Sequence, residues 1–243
     1  MTLLQVNDLT KHYGSLRAVD GVSFTLNAGE ILGVVGESGC GKTTLLRLIS
    51  GLEAADSGRI LLHGRPLTVR RTKADYRAMQ MIFQDAAGSF HPRRRIADSL
   101  EDSVRSLLGR DTPADIPALC AMVGLPPELA RRYPRDLSGG QCQRFAIARA
   151  MAVSPQLLLC DEITSALDVI SQARILELLR TLCRQNHMAA VFVSHDLAVV
   201  AGLCSRLLVM QNGRVIEQGE TAALLRSPKE TATQQLLASV MTW

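Results

Sequence analysis

From Ile31 to Ser50 an apolar run, a glycine-rich loop and a leucine-rich stretch follow one another without a break. No other part of the chain restricts the possible folds so strongly. The loop reads Gly36, Glu37, Ser38, Gly39, Cys40, Gly41, Lys42, Thr43, Thr44, which is the phosphate-loop spacing of Gly, four residues and Gly-Lys-Thr, a pattern that needs a buried strand before it and a helix behind it. Ile31 to Val35 predicts the strand. Thr43 to Ser50 predicts the helix, with Leu45, Leu46, Leu48 and Ile49 available for packing. Glycines without a Cβ let backbone amides turn inward against oxygens, so the implied ligand is a polyphosphate.

At 243 residues the chain can build one substantial core with a subdomain inserted into it. Hydrophobic residues at 47% and charged residues at 21% describe a globular rather than a disordered chain. A net charge of +4 singles out no class of partner. The longest apolar stretch, Ala189 to Met210, is interrupted by His195, Asp196 and Arg206, so no bilayer-spanning helix is expected. The start has no secretory pattern, and the chain is expected in the cytosol. Six cysteines, at 40, 120, 142, 160, 183 and 204, include no Cys-x-x-Cys pair, which predicts buried reduced thiols. Cys40 lies inside the loop, where alkylation would block a nucleotide.

Short β patterns at Leu3 to Val6, Val22 to Leu26, Ile31 to Val35, Arg59 to Leu62 and Met79 to Phe83 surround the loop. Between Asp85 and about Arg135 the text turns to helical periods, Ala97 to Leu108 and Ile116 to Val123, punctuated by Pro113, Pro117, Pro126 and Pro127. Afterwards strand and helix alternate: a helix at Gln141 to Val153, a strand at Leu157 to Cys160, a helix at Ser171 to Cys183 and a strand at Ala189 to Val193. That alternation predicts a parallel sheet. Ile175, Leu178, Leu179 and Leu182 form one apolar stripe and read as core. Leu207 to Met210 and Arg214 to Glu217 flank Asn212-Gly213, a hairpin turn.

Asp161 and Glu162 end an apolar strand, the carboxylate arrangement that phosphoryl transfer needs. Asp161 would hold magnesium, and Glu162 would polarise the attacking water. Lys42 would reach the β- and γ-phosphates and Thr43 would ligate the magnesium. Met on its own, an acidic pair at a strand end is a solvated terminus. Leu137-Ser-Gly-Gly-Gln141 stands before a helix and offers a hydroxyl and free amides, a second anion site. Alone, it would be an ordinary helix cap.

Together these residues resemble the nucleotide-binding subunit of ABC transporters, over essentially the whole chain. The order phosphate loop, Gln84, Leu137 to Gln141, Asp161-Glu162 and His195 is that family's order. The resemblance implies an α/β fold: a phosphate-loop NTPase core with a RecA-like parallel sheet, an N-terminal antiparallel β subdomain and an inserted α-helical subdomain. Residues 1–85 and 145–220 would form the core with its β subdomain, 86–144 the helical subdomain carrying the signature, and 221–243 a short tail. It further implies that two subunits meet head to tail, with Ser138, Gly139, Gly140 and Gln141 contacting ATP held by the partner's loop. Gln84 would touch magnesium and the lytic water, His195 the γ-phosphate, and Tyr13 would stack on adenine. Ser165 to Asp168 would let the subunits sense each other. Ile163 stands where the family has proline, a departure that would loosen the turn holding Glu162 while leaving both carboxylates.

Phe83-Gln-Asp85 with Ser89-Phe-His-Pro-Arg93 resembles the stretch that marks peptide and nickel importers, although Phe90 and His91 depart from its usual Leu and Asn. The absence of a longer C-terminal tail favours the shorter nickel or metal-chelate members. The function this implies is ATP hydrolysis, with Mg2+, driving solute uptake from the cytoplasmic face of the membrane. Its partners would be transmembrane permease subunits, a second ATPase chain (identical or different) and, through the complex, an extracytoplasmic solute-binding protein, with no nucleic acid. A non-transport ABC ATPase that assembles or scaffolds a soluble complex is the alternative.

Overall fold

The computed structural model describes residues 1–240; the last three residues of the expected tail, 241–243, lie outside them. In chain order the elements are β1 (Thr2–Tyr13), β2 (Leu16–Asn27), β3 (Ile31–Val35), α1 (Lys42–Ser50), β4 (Ser57–Leu62), β5 (Arg65–Pro66), α2 (Lys73–Ala78) and β6 (Met79–Ile82). Then come α3 (Ile96–Leu108), α4 (Ile116–Met122), two short 3-10 turns, α5 (Gly139–Met151), β7 (Leu157–Asp161), α6 (Val169–Gln185) and β8 (Ala189–Val193). The chain continues with α7 (Leu197–Leu203), β9 (Arg206–Gln211), β10 (Arg214–Glu220), α8 (Thr221–Arg226) and α9 (Thr231–Val240).

The chain divides into two compact units. The first comprises Met1–Arg71 and the chain from Cys183 onward. It carries an antiparallel sheet in the order β2-β1-β4-β5 and the strands β10-β9-β3-β8. β3 pairs in parallel with both β8 and β9, while β9 and β10 are antiparallel across the Asn212-Gly213 turn. Every residue of β8 is buried, as are four of five in β3, the pattern of parallel strands covered on both faces. Asn212 and Gly213 have φ of 48° and 80°, the left-handed pair that a two-residue hairpin turn requires.

Helix α1 buries Leu45, Leu46, Leu48 and Ile49, each worth roughly 1.5–3 kcal/mol relative to exposure. It stops at Gly51, whose φ of 80° lets its N–H turn back onto the Leu48 carbonyl. The guanidinium of Arg71 donates to the Leu48 and Ile49 carbonyls at 3.2 and 2.9 Å, satisfying acceptors that a helix end otherwise leaves open.

The second unit is Thr72–Leu182. β6 and β7 pair in parallel within it, from Met79 opposite Leu157 to Ile82 opposite Cys160. α3 buries Ile96, Leu100 and Val104, four residues apart on one stripe. Of the apolar stripe on α6, Ile175, Leu179 and Leu182 are buried and Leu178 is half-buried.

Several elements differ from the sequence expectations. β1 and β2 each run for 12 residues, so Tyr13 ends a strand that the pattern Leu3 to Val6 had placed far upstream. The reason is an irregular register: the β1–β2 ladder shifts between Val6 and Leu9, next to Asp8 at φ 49°, and a bulge breaks the period-2 alternation on which strand reading depends. α5 begins at Gly139 rather than at Gln141, because Ser138 is the cap and the glycines are its first helical residues. Helices α8 and α9 occupy most of the expected tail after β10.

Candidate active site

In the first unit β3 runs straight into the glycine loop. A Cβ on Gly36 would lie 2.2 Å from the Met210 carbonyl oxygen, and one on Gly41 would lie 2.0 Å from that of Ala18, so only glycine lets the backbone close up there. The turn between β9 and β10 braces the loop: the Gly213 N–H donates to the Cys40 carbonyl at 3.0 Å, and the Gly213 carbonyl accepts from the Asp20 N–H at 2.9 Å. Lys42 is 4% exposed and donates to the carbonyls of Gly36 and Glu37, both at 2.8 Å. Its ammonium thus already spans the loop, held by neutral acceptors that an anion would outcompete.

Thr43 and Thr44 follow in the first turn of α1, where the helix dipole favours negative charge. Cys40 sits 3.9 Å from the Lys42 ammonium. Burial pushes its thiol above the usual range, and the neighbouring cation only partly offsets that. His195 lies between β8 and α7 and is exposed. The backbone around it is fixed by the Ser194 N–H donating to the Val34 carbonyl at 3.2 Å and by Asp196, which caps α7 through the Ala198 and Val199 N–H groups. Tyr13, 43% exposed, ends β1.

In the second unit the turn after β7 holds the acidic pair. Asp161 is 5% exposed and Glu162 half-buried, with Glu162 in the left-handed region at φ 45°. The Gln84 amide donates to the Glu162 carboxylate at 3.3 Å and to the Ser165 hydroxyl at 3.2 Å, and that hydroxyl donates to the Glu162 carbonyl at 2.9 Å. Gln84, Glu162 and Ser165 therefore form one closed network. Ile163 is 2% exposed, and the Ser165 N–H donating to the Glu162 carbonyl at 3.2 Å closes the turn.

Ser138 caps α5 through a reciprocal pair: its hydroxyl accepts from the Gln141 N–H at 3.3 Å, and the Gln141 side chain accepts from the Ser138 N–H at 3.0 Å. The plain capping role and the anion-site role thus draw on the same residues, since the Gly139 and Gly140 amides remain outside the box.

The structure brings the loop residues, Tyr13 and His195 into one unit and Gln84, Ser138 to Gln141, Asp161 and Glu162 into the other. Thr43 and Asp161, which the sequence assigns to one metal ion, belong to different units. Ser165, expected in a loop through which subunits sense each other, also bonds Gln84, and Glu53, which accepts the Tyr13 hydroxyl, carries no motif that sequence reading could have used. The sole hint for Glu53 is its place just after the helix-ending Gly51.

Residues 19–165 match the family model described as ABC transporter. An oligopeptide transport ATP-binding protein, OppF, of Haemophilus influenzae is 42% identical over 93% of this chain and 70% of its own length. A di/tripeptide transport ATP-binding protein, DppF, of Pseudomonas aeruginosa is 41% identical over 98% of this chain and 79% of its own. Among solved structures, cbiO1 of Clostridium perfringens, part of the ABC transporter complex cbiONQ, superposes with a TM-score of 0.81 at 26% identity, covering 93% of this chain and 91% of that one. With a glycine loop that only glycine can close, a buried lysine across it and a capped Leu-Ser-Gly-Gly-Gln helix, the chain belongs to the ABC transporter family and is one of its ATP-binding, ATP-hydrolysing chains.

Proposed function

We propose that this chain powers peptide uptake, binding ATP at its phosphate loop and hydrolysing it while docked on membrane-spanning permease subunits. The observation that carries the reading is the closed network of Gln84, Glu162 and Ser165, which gives the strand-end carboxylate a fixed direction. Identity of about two fifths to chains named for oligopeptide and di/tripeptide transport supports peptides over nickel as the solute class. Among the described residues no helix is long and apolar enough to cross a membrane, so the path for the solute belongs to partner subunits.

In this mechanism Lys42 leaves the Gly36 and Glu37 carbonyls and binds the β- and γ-phosphates, which outcompete neutral acceptors. Glu162 takes a proton from the attacking water as its oxygen bonds to the γ-phosphorus and the bond to the β-phosphate oxygen breaks. Gln84 orients that water from its position on Glu162, and His195 donates to the γ-phosphate. Ser138, Gly139, Gly140 and Gln141 cap a nucleotide bound to a second subunit, so that two ATP molecules close the pair head to tail.

The donor set also suits magnesium. Asp161, Thr43 and Gln84 would hold it through oxygen, the donor type that magnesium takes together with phosphates and water. The ion would supply charge neutralisation on the β- and γ-oxygens. Among the described residues there is no cluster of three His, Cys, Asp or Glu that would hold a metal alone.

The test is reconstitution of the chain with its co-purifying membrane subunits in lipid vesicles. ATP hydrolysis that rises with a lumenal peptide-loaded receptor, with peptide accumulating on the ATP side, supports the reading. A chain that purifies with no membrane protein and hydrolyses ATP only in a soluble assembly overturns it.

A further inference from the structure

The end of strand β1 carries a set of polar contacts that the hydrolysis site does not use. Tyr13 pairs with Leu16 across a two-residue turn in which Gly14 has φ 59°. Its ring keeps 43% exposure, yet its hydroxyl is tied down, donating to the Glu53 carboxylate, with Thr44 as a second hydrogen-bonding neighbour. Lys11 stands 5.6 Å from the ring centroid and is itself held at 3.2 Å by Asp56. Asp56 also accepts from the His12 N–H at 2.7 Å and lies 3.2 Å from His12 Nδ1.

Glu53 is fixed from the other side by α1. Its N–H donates to the Arg47 carbonyl at 3.2 Å, and its second carboxylate oxygen lies 3.8 Å from the Arg47 guanidinium. Gly51 makes this possible, because its left-handed conformation folds the chain back under the helix end. A Tyr hydroxyl bonded to a carboxylate is a charge-assisted contact, stronger than a neutral one. It removes freedom from a ring that would otherwise turn about two side-chain torsions at an exposed strand end.

We infer that Glu53 is a positioning residue for the nucleotide: it fixes the plane of the Tyr13 ring for stacking on the base and ties that plane to the helix whose first turn carries Lys42 and Thr43. This rests on the reading of Tyr13 as the adenine-stacking residue. The phosphate loop holds the triphosphate through its own backbone, so Glu53 acts on the base half of the ligand alone.

Calorimetric binding of ATP and of inorganic tripolyphosphate to the full chain separates the possibilities. Glu53→Ala weakens ATP binding roughly three- to tenfold, the range of one hydrogen bond lost from an ordered group, and leaves tripolyphosphate binding unchanged. Glu53→Gln, which keeps an acceptor oxygen, recovers most of the loss. Tyr13→Phe loses as much as Glu53→Ala, and the double variant loses no more than either. In the assembled transporter KM for ATP rises while kcat holds. Equal weakening of ATP and tripolyphosphate, or fully multiplicative losses in the double variant, overturns the inference. If Tyr13→Ala weakens ATP binding and Glu53→Ala does not, Glu53 alone has been misread; if Tyr13→Ala also changes nothing, the stacking role falls and this inference with it.

Discussion

The guanidinium of Arg149, in the last turn of α5, lies 4.3 Å from the centroid of the Phe90 ring and donates to the Ser89 carbonyl at 2.7 Å and to the Ser89 hydroxyl at 2.9 Å. Burial draws its pKa below the usual guanidinium range, and these three contacts are all uncharged. A desolvated cation against a ring face gains about 2 kcal/mol, so Phe90 is part of what keeps this charge in place. The contact binds the loop that follows Gln84 to the helix that Ser138 caps.

Phe90→Leu, which removes the ring face and keeps an apolar side chain, therefore lowers unfolding free energy by about 1–2 kcal/mol. Arg149→Ala costs more, about 2–4 kcal/mol, because the Ser89 groups lose a charged donor. Chemical denaturation of the two variants checks the order. A Phe90→Leu chain as stable as the parent would mean that the ring contributes packing alone.

If Glu162 is the proton acceptor proposed above, Glu162→Gln removes it while leaving an amide beside Gln84 and Ser165. ATP binding persists and turnover falls by at least about a hundredfold, the usual scale for loss of a general base. On the proposed head-to-tail pairing, blocked hydrolysis makes the closed pair accumulate, and analytical ultracentrifugation with and without ATP measures it. Undiminished hydrolysis would remove Glu162 from the chemistry.

Much of this site was legible in the sequence because its parts are local. Ile31 to Ser50 specifies strand, loop and helix within one short run, and Asn212-Gly213 specifies its own turn. Contacts between distant residues were not legible. Glu53 and Tyr13 are 40 positions apart, and no periodicity links a strand end to the residue after a helix cap. Arg149 and Phe90 are joined only by folding. β1 was underestimated for a different reason, since the bulge near Asp8 places Asn7 and Asp8 where alternation would end a strand, although pairing resumes at Leu9. Ser138 was legible both as a cap and as an anion donor, and the structure realises the cap.

Ser138→Arg separates those two roles. The bulky cation replaces the hydroxyl that accepts from the Gln141 N–H, which costs about 1 kcal/mol of helix stability, and Ser138→Ala carries that same cost without the bulk. If Ser138 meets the partner's nucleotide, the arginine variant loses turnover while the isolated chain binds ATP as before, and the alanine variant keeps most of its activity. Equal loss in both would assign Ser138 to the cap alone, and loss of ATP binding by the isolated chain would place the signature on its own nucleotide.

Cys40 gives a probe of the loop that needs no engineered label. At 7% exposure it is the most accessible of the six cysteines, and Cys183, whose thiol is pushed up to about 12 by burial, is far less reactive. Since burial also raises Cys40 above the ordinary thiol value, its thiolate is scarce at neutral pH and grows roughly tenfold for each unit toward its pKa. Maleimide labelling is therefore slow at pH 7 and accelerates through pH 9, with the modified peptide identified by mass spectrometry. ATP and tripolyphosphate both slow it, because either one draws Lys42 away from its position 3.9 Å from the sulfur and fills the loop mouth. Fast labelling at pH 7 would mean that the Lys42 cation outweighs burial at the sulfur, and labelling indifferent to tripolyphosphate would place the anion outside the Gly36 to Thr44 loop.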